Sequence, residues 1–435
     1  IKNKKELVKR FPEAADLLDI ADDILESIDP EKLIFESFDI PFDTLRIRRA
    51  TQGTQVLNRY KNIYVVGAGK ATLAMAKKMN EMLGDRITKG YINVPNSKVK
   101  TIGNIIVNVA RHPHPNQKGV EGSKKILKIC ESAGKDDLVI ALISGGGSAL
   151  MPLPADGLTL KDKILLTDRL LKCGDSIHKI NVIRKHLSKI KGGRLAEAAL
   201  PATVLGLYIS DVVGDPLDLI ASGPTVPDKS TSLEALEILE TCTAKLPEKI
   251  EKIIRDNETP KKLPKDKIFN FVIGSNKIAL QECLKQGKKR KYNVKIYSSE
   301  LEGEARNISS LLINDLDKMK KPALLLAGGE TTVTLLGGGQ GGRNQELVLS
   351  AIPKLKKGMS ILALATDGVD GITDEPIAGA VATYNTQKIC QAKKVDVIEF
   401  ISDSDSYNCL KQLGGLLKTG PTGTNVGDII LLKAA

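Results

Sequence analysis

The feature that most constrains this 435-residue sequence is an apolar run that leads repeatedly into a glycine turn and then an amphipathic helix. The run 61–66 is followed by two glycines and by the helical segment 71-ATLAMAKKMNEML-83. Residues 137–143 and 161–173 repeat the pattern, and 203–209 is a third apolar run. Strands that alternate with helices are typical of parallel sheets. We therefore predict an α/β fold with a doubly wound parallel sheet.

The second half of the chain contains strand-like runs that lie close together in sequence. They are 268–273, 323–327, 331–336, 360–365 and 428–432. Parallel neighbours need long crossover connections, whereas antiparallel neighbours do not. The close spacing therefore predicts a mixed sheet in this half.

The chain is longer than one hydrophobic core usually serves, so we expect two domains. The region between Pro227 and Lys267 ends in the lysine- and proline-rich stretch 260-PKKLPKDK-267, which is typical of a boundary. We place an amino-terminal α/β domain at residues 1–240. A smaller, mixed-sheet α/β domain is predicted at residues 241–435.

The composition limits the classes of partner. The formal net charge is +12, but aromatic residues make up only 3% of the chain and tryptophan is absent. Stacking platforms for bases are therefore scarce, and we predict no nucleic-acid partner. We assign the charge mainly to the surface, with a part directed at an acidic substrate. No apolar run is long enough to span a membrane. The six cysteines form no CxxC pair, and this favours buried thiols in a reducing, cytoplasmic location.

The turn after the first strand reads 63-IYVVGAGKATLAMA-76 and has features of an anion site. Gly67 and Gly69 allow the backbone to approach a ligand, and Lys70 adds a cation where a helix begins. The turn is not a Walker A loop, and Thr72 occupies the third glycine position of a dinucleotide fingerprint. A tight structural turn with a surface lysine explains the same residues.

The second turn is more informative because it follows a buried strand. It consists of Ser144, Gly145, Gly146, Gly147 and Ser148. Successive glycine amides form nests for phosphate or carboxylate groups. Open α/β sheets bind ligands at the carboxyl ends of their strands. We therefore predict that this turn is an anion-binding loop.

Two further groups in the first half carry charge. Lys191 and Arg194 flank a glycine pair in 183-IRKHLSKIKGGRLAEAA-199. Such cations usually form a solvated face, but a glycine pair in a helical segment indicates the close approach of another group. Asp211 follows the apolar run 203–209, and a carboxylate at a strand end can hold Mg²⁺ or act as a general base.

The second half offers a comparable set of residues. Gly329 and Glu330 form a turn after an apolar run, and Arg343 and Asn344 end the glycine-rich loop GGGQGGRNQE. An arginine presents a bidentate fork that suits carboxylate or phosphate. Asp367 follows another strand-like run. The residues alone thus predict an α/β enzyme that handles phosphate or carboxylate groups.

A series of motifs resembles one known family. The motifs are VGAGKA, SGGGSAL, KHLSKIKGGRLA, SDVVGDPLDLIASGPTVPD, GGETTV, GGRNQE, TDGVDG and GPTGTNVGD. Their content and order resemble the MOFRL-type (class II) glycerate kinases over nearly the whole chain. The resemblance implies a larger Rossmann-like domain, a smaller carboxyl-terminal domain and an active site in the cleft between them.

The same resemblance implies chemistry and roles. It implies transfer of the ATP γ-phosphate to D-glycerate with Mg²⁺, and it favours 2-phosphoglycerate as product. Lys70 and Arg343 correspond to the basic pair of the catalytic centre. Chemistry, rather than the resemblance, suggests two further roles: Asp211 by preference, and Asp367 next, would orient or deprotonate the acceptor hydroxyl, and the other would hold Mg²⁺, although these two roles can be exchanged. The other expected contacts to substrate or phosphate are Gly67, Gly69, the turn 144–148, Lys191, Arg194, Gly329, Glu330 and Asn344.

Two alternatives belong to other classes. A hydroxypyruvate reductase would need a dinucleotide site, which Thr72 argues against. A non-catalytic binder of anions or nucleic acid would account for the positive charge alone. The sequence leaves open the acceptor hydroxyl, the range of hydroxy acids and nucleotides, and the oligomeric state, with which a homo-oligomer is compatible.

Overall fold

The computed structural model describes residues 1–39, 44–47, 55–56, 59–174, 176–242 and 247–435. Its helices are α1 (Lys4–Arg10), α2 (Ala15–Ser27), α3 (Pro30–Ser37), α4 (Thr72–Leu83), α5 (Gln117–Glu131), α6 (Gly147–Leu150), α7 (Leu160–Lys172), α8 (Ile177–His186), α9 (Arg194–Ala199), α10 (Ser232–Cys242), α11 (Glu248–Asp256), α12 (Asn276–Lys289), α13 (Ala305–Asp317), α14 (Arg343–Ala351), α15 (Thr386–Lys393), α16 (Val397–Ser402) and α17 (Ser406–Leu413). Its strands are β1 (Phe38–Asp39), β2 (Thr44–Ile47), β3 (Gln55–Val56), β4 (Asn62–Ala68), β5 (Ile87–Val94), β6 (Thr101–Ile102), β7 (Ile105–Val109), β8 (Asp137–Ser144), β9 (Thr203–Ile209), β10 (Ile268–Gly274), β11 (Asn293–Leu301), β12 (Ala323–Gly329), β13 (Met359–Ala365), β14 (Gly379–Thr383), β15 (Leu416–Leu417) and β16 (Asp428–Ala434).

The chain divides into two compact units. One is Pro30–Ile273, and the other combines Ile1–Asp29 with Gly274–Ala435. The sequence analysis predicts a single domain boundary at residue 240. In the structure the chain passes from one unit to the other twice, after Asp29 and after Ile273. Helix α2 explains the first of these positions, because it packs on α12, β13 and β16 of the unit that contains the carboxyl terminus.

The unit Pro30–Ile273 is built on a seven-stranded sheet with the order β10-β9-β8-β4-β5-β7-β6. β4 pairs in parallel with β5 and β8, β5 pairs in parallel with β7, and β8 pairs in parallel with β9. β6 is antiparallel to β7. The predicted doubly wound, mainly parallel sheet is confirmed.

Strand β8 lies in the middle of this sheet and is buried along its whole length. Val139, Ala141 and Ile143 on one face join a core cluster with Ile126 and Cys130 of helix α5. Strands that are covered by helices on both faces have continuous apolar sequences rather than alternating ones. This is why β8 reads as the unbroken run LVIALI before its glycine turn.

The second unit contains a six-stranded sheet with the order β11-β12-β16-β13-β14-β15. β11 and β12 are parallel, whereas the pairs that involve β13, β14, β15 and β16 are antiparallel. The predicted mixed sheet is thus confirmed. Helices α13 and α14 supply apolar residues to its core, among them Leu312, Leu316, Leu347 and Val348.

The strand predicted at residues 331–336 is wrong. Thr332 makes only an isolated bridge, and the segment beyond it is irregular. Its amides are satisfied elsewhere, because the Thr334 amide donates to the Glu304 carboxylate at 2.9 Å. Leu335 and Leu336 are 73% and 61% exposed, so the apolar pattern that indicated a strand does not face a core. Among the described residues, no helix combines the length and apolar character required to cross a membrane.

Candidate active site

The first turn joins β4 to α4 and packs against strand β8. A Cβ atom on Gly67 would lie 2.2 Å from the Leu142 carbonyl oxygen, and one on Gly69 would lie 2.0 Å from the Ser144 hydroxyl oxygen. Any side chain at these positions would overlap the neighbouring strand. The two glycines therefore have a packing role, and the ligand contacts predicted for them stay predictions.

Backbone and hydroxyl groups connect the first turn to the second. The Lys70 amide donates to the Gly145 carbonyl oxygen at 2.9 Å, and the Ala71 amide donates to the Ser144 hydroxyl at 3.0 Å. Ser144 thus satisfies an amide at the beginning of α4 that no helical carbonyl can reach. Its hydroxyl is buried and already engaged, whereas the side chain of Lys70 is exposed.

The second turn lies at the carboxyl end of β8 and is tightly surrounded. A Cβ atom on Gly145 would lie 2.0 Å from the Asp211 carboxylate, and one on Gly146 would lie 2.9 Å from the His112 ring. Gly146 also has a φ of +80°, which favours glycine. Within the described part of the chain, the amides of Gly146 and Gly147 donate no hydrogen bond. The turn therefore offers backbone donors of the kind that form an anion nest.

Three side chains with different chemistry stand against these glycines. Asp211 follows β9, the neighbour of β8, so its carboxylate reaches Gly145. His112 and the aliphatic part of Lys70 both face Gly146. Burial, together with the positive charge of Lys70, lowers the pKa of His112. A lysine, a carboxylate and an imidazole thus meet at one glycine turn.

Lys191 is fixed beneath the same turn. Only 1% of the residue is exposed, and its ammonium group donates to the Ser148 carbonyl and hydroxyl oxygens at 3.0 and 2.8 Å and to the Ala221 carbonyl at 3.3 Å. Burial lowers its pKa well below the usual value, and nearby cations add to the effect. The Ser222 hydroxyl completes the network, because it lies 3.2 Å from the Ser148 hydroxyl and donates to Asn181.

A cavity of about 370 Å³ opens beside this network. Its polar lining includes His112, Gly146, Ser148, Lys163, Arg184 and Lys191. Lys163 is buried, and its ammonium nitrogen has no hydrogen-bond partner within the described residues. Burial, with the positive charges of Arg184 and Arg194, lowers the pKa of Lys163 to about 7. Lys163, Arg184 and Lys191 therefore give the cavity wall a basic character, although Asp168 also lines the cavity.

Arg194 has contacts of a different kind from those predicted. Its guanidinium donates to the carbonyl oxygens of Lys185 and Asn257 at 2.9 and 2.5 Å. These bonds connect the end of α8 to the residue that follows α11. Burial lowers the pKa of Arg194. Its contacts are those of a structural link, and a role in phosphate binding stays a prediction.

Arg343 is the first residue of α14 and is held by two carboxylates. Its Nε and Nη2 atoms donate to the Asp428 carboxylate at 2.5 and 3.0 Å, and its Nη1 atom lies 3.0 Å from Glu330 Oε1. Glu330 follows β12 and Asp428 begins β16, and these two strands are neighbours. Burial opposes the charge of Arg343, but the hydrogen bonds and charge of Asp428 raise its pKa overall.

A second buried carboxylate fixes the beginning of α14. Asp370 accepts hydrogen bonds from the Asn344 amide and side chain at 3.0 and 3.1 Å and from the Gln345 amide and side chain at 2.9 and 3.1 Å. The side-chain nitrogen of Asn344 is therefore bonded to Asp370, while its Oδ1 atom has no hydrogen-bond partner within the described residues. Gly329 allows close packing, since a Cβ atom there would lie 2.2 Å from the Leu301 carbonyl oxygen.

The two predicted metal ligands stand in different surroundings. Asp367 is half-buried and accepts a hydrogen bond from the Val369 amide at 3.1 Å, while Asp211 lies against Gly145. The described residues contain no group of three or more His, Cys, Asp or Glu side chains that could hold a metal ion. Neither aspartate therefore belongs to a preformed cage of that kind.

The sequence prediction missed several residues of these clusters. Lys163 was detectable, because it shares the apolar stripe of α7 with Leu166 and Leu170, where a charge is out of place. His112 and Asp428 left no such signal. They reach their partners only through the order of the strands, which a single sequence does not reveal.

Comparison with known proteins is consistent across the chain. Residues 16–255 match a family described as a domain of unknown function, DUF4147, and residues 323–428 match the MOFRL family. The D-glycerate 2-kinase of Thermotoga maritima is 39% identical and covers 93% of this chain and 99% of its own length. The glycerate 2-kinase of Pyrococcus horikoshii is also 39% identical, over 95% of this chain and 96% of its own.

The fold has a matching solved structure. The crystal structure of a glycerate kinase from Thermotoga maritima superposes with a TM-score of 0.86 at 37% identity, over 96% of this chain and 98% of that one. The predicted resemblance is thus confirmed at the level of sequence and of fold. The chain belongs to the MOFRL-type glycerate kinase family.

Proposed function

We propose that this chain is an ATP-dependent kinase that phosphorylates D-glycerate and yields 2-phosphoglycerate. The relatives with the names D-glycerate 2-kinase and glycerate 2-kinase support the activity and the hydroxyl that is attacked. The structural observation that carries the proposal is the turn 144–148, where Lys70 faces Gly146 and Asp211 faces Gly145, and where the amides of Gly146 and Gly147 donate no hydrogen bond within the described residues. A transferring phosphoryl group needs such cations and amides, because its charge spreads over several oxygens.

The proposed roles follow from chemistry. Lys70 and Arg343 stabilise the negative charge of the transferring phosphoryl group. Asp211, or else Asp367, accepts the proton of the acceptor hydroxyl. The hydroxyl oxygen then forms the new bond to phosphorus while the bond between the γ-phosphorus and ADP breaks. Contacts to substrate or phosphate are proposed for Gly67, Gly69, Ser144, Gly145, Gly146, Gly147, Ser148, Lys191, Arg194, Gly329, Glu330 and Asn344, with Lys191 acting through its charge.

Mg²⁺ is proposed as the metal, and its protein ligand is proposed to be whichever of Asp211 and Asp367 does not accept the proton of the acceptor hydroxyl. Mg²⁺ is usually bound by one or two carboxylates together with substrate phosphates, and it retains several waters. Separate carboxylates, without a group of three or more ligands in the described residues, fit such a metal. When bound, the ion neutralises charge on the phosphate oxygens.

A reductase is disfavoured by the first turn. Dinucleotides place their pyrophosphate at the beginning of the helix that follows the first strand. In this chain the Ala71 amide at that position donates to the Ser144 hydroxyl, and Thr72, which stands where a glycine would be needed, donates its hydroxyl to the Leu142 carbonyl oxygen at 3.3 Å. We expect no oxidation of NADH or NADPH with hydroxypyruvate.

We propose small-molecule ligands and a cytoplasmic location. The cysteines with described side chains, Cys130, Cys173, Cys283, Cys390 and Cys409, form no disulfide. Free thiols are typical of reducing compartments. Four of these five cysteines are buried, which also fits an inert, structural role.

The decisive experiment measures ADP release from ATP and Mg²⁺ with and without D-glycerate. We expect release that depends on D-glycerate, and phosphorus NMR of the product should show the phosphate on the 2-hydroxyl. Phosphate on the 3-hydroxyl would contradict the proposal that the product is 2-phosphoglycerate, while leaving the kinase activity in place. A folded protein that releases no additional ADP with D-glycerate would overturn the proposed function.

A further inference from the structure

The basic cavity beside the glycine turn has charges that the proposed phosphoryl transfer leaves unexplained. We infer that this cavity binds the carboxylate of the acceptor acid, with Lys163 and Arg184 as the binding residues and Lys191 as a fixed positive charge behind them. The inference rests on the proposed function, because it names the part of that site which selects a small hydroxy acid.

Lys163 is the strongest observation. Only 6% of the residue is exposed, it lines the cavity, and its ammonium nitrogen has no hydrogen-bond partner within the described residues. Buried polar groups are nearly always hydrogen-bonded, and an unpaired buried cation is costly. The low pKa of about 7 has the same origin in burial and in nearby cations. A carboxylate would supply both the missing acceptor and the missing negative charge.

Arg184 and Lys191 complete the charge of the wall. Lys191 already donates to Ser148 and Ala221, so it contributes charge without a free donor. Burial lowers the pKa of Arg184, which lines the same cavity. Asp168 also lines it, but that residue is exposed. Among the described residues that line the cavity, the three cations Lys163, Arg184 and Lys191 are thus accompanied by the one carboxylate of Asp168, and this balance of charge favours an anion.

The size and position of the cavity identify the group that fits. Its volume of about 370 Å³ is near the lower end of the range of small-molecule pockets, about 300 to 1,000 Å³. A three-carbon acid suits this space better than a nucleoside triphosphate. Gly146 belongs to both the cavity wall and the turn against which Lys70 stands. A carboxylate at Lys163 thus leaves the hydroxyl groups on the side of Gly146, where phosphoryl transfer is proposed.

The test uses steady-state kinetics of Lys163→Met and Arg184→Met. Methionine has a similar length and no charge, so it suits a buried site. We expect KM for D-glycerate to rise at least about tenfold in each variant, as for loss of a charge-assisted hydrogen bond, with KM for ATP nearly unchanged. Lys172→Met is the matched control, because Lys172 is exposed on the same helix and does not line the cavity.

Each outcome is decisive. Unchanged KM for D-glycerate in both folded variants would overturn the inference, and a rise in KM for ATP instead would assign the cavity to nucleotide phosphates. Thermal unfolding with millimolar D-glycerate gives a measurement that does not require turnover. Stabilisation of the wild type that is absent in Lys163→Met supports the site even if kinase activity fails, and no stabilisation of the wild type counts against it.

Discussion

At the scale of residues, the two basic groups proposed for catalysis are held in opposite ways. Lys70 is exposed at the edge of a turn, whereas Arg343 is fixed by Asp428 and Glu330. An exposed lysine can adjust to a moving phosphoryl group. A guanidinium held in a bidentate pair keeps one orientation.

Removal of either group is expected to lower turnover, but the two substitutions should differ in their effect on stability. For Lys70→Ala we expect kcat to fall about 10²- to 10³-fold with stability within about 0.5 kcal/mol of wild type. Arg343→Ala should lower kcat similarly, and it should also destabilise the protein by about 3–5 kcal/mol, because it leaves the buried Asp428 unpaired. Initial rates and urea unfolding measure both effects. Near-normal turnover in folded Lys70→Ala would remove that lysine from the catalytic residues.

Lys163 predicts a pH dependence of stability. Its pKa of about 7 lies below the ordinary value of 10.5, so between these values the unfolded chain binds more protons than the folded chain. Burial of the charged lysine destabilises the folded protein, and this destabilisation is fully present below pH 7. It decreases as the pH rises above about 7, so the stability of the protein rises with pH in that range. We therefore compare the free energy of unfolding in urea of Lys163→Met with that of the wild type. The difference in favour of the variant should be larger at pH 6.5 than at pH 9, by about 2 kcal/mol. An equal difference at both pH values would contradict the assignment.

At the scale of elements, the sequence predicted those segments whose pattern is decided locally. The run 203–209 forms β9 with the predicted bounds, because each of its residues is buried. The segment 331–336 has a similar composition but does not form a strand. Glu304, which is distant in sequence, takes the hydrogen bonds of Thr334 in place of a neighbouring strand. Competition of this kind depends on tertiary structure and leaves no local signal.

The glycine turn offers a test of element geometry. Gly145→Ala places a Cβ atom 2.0 Å from the Asp211 carboxylate, so that carboxylate must move. Because the contact is with the end of a side chain, we expect a fall in kcat of about tenfold or more with little loss of stability. Gly134→Ala is the control, since its Cβ atom would meet only Asp137, at 3.7 Å. If Gly145→Ala and Asp211→Asn reduce kcat independently, so that their effects multiply, the displaced carboxylate is not the cause.

At the scale of the whole molecule, the first 29 residues belong to the unit that contains residues 274–435. The amphipathic pattern of α2 shows that one face must be buried, but not which surface covers it. Such a pattern therefore indicates the helix but not its partner. The candidate site follows the same rule. Glycine turns and strand-end aspartates are visible in sequence, whereas the ion pair of Arg343 with Asp428 depends on the order of strands β12 and β16.

The assignment of the first 29 residues to this unit predicts which strands a core mutation in α2 will destabilise. Leu17 of α2 is fully buried, and its truncation to alanine should cost about 2–5 kcal/mol. In hydrogen-exchange mass spectrometry, Leu17→Ala should accelerate exchange in Ala323–Gly329 and Asp428–Ala434 but not in Asp137–Ser144. The exposed Leu311 provides a matched control as Leu311→Ala. Faster exchange confined to Asp137–Ser144 would contradict the division into units.

The two hydrogen bonds between the glycine turns also restrict how acceptor preference can diverge among related enzymes. Lys70 and Ala71 donate to Gly145 and Ser144, so a change in one turn displaces the other. Mutations there would disturb catalysis before they altered selectivity. The wall formed by α7 carries no such constraint, because its cavity-lining side chains can be exchanged singly. New acceptor preferences should therefore arise through substitutions in α7, while the paired turns remain unaltered.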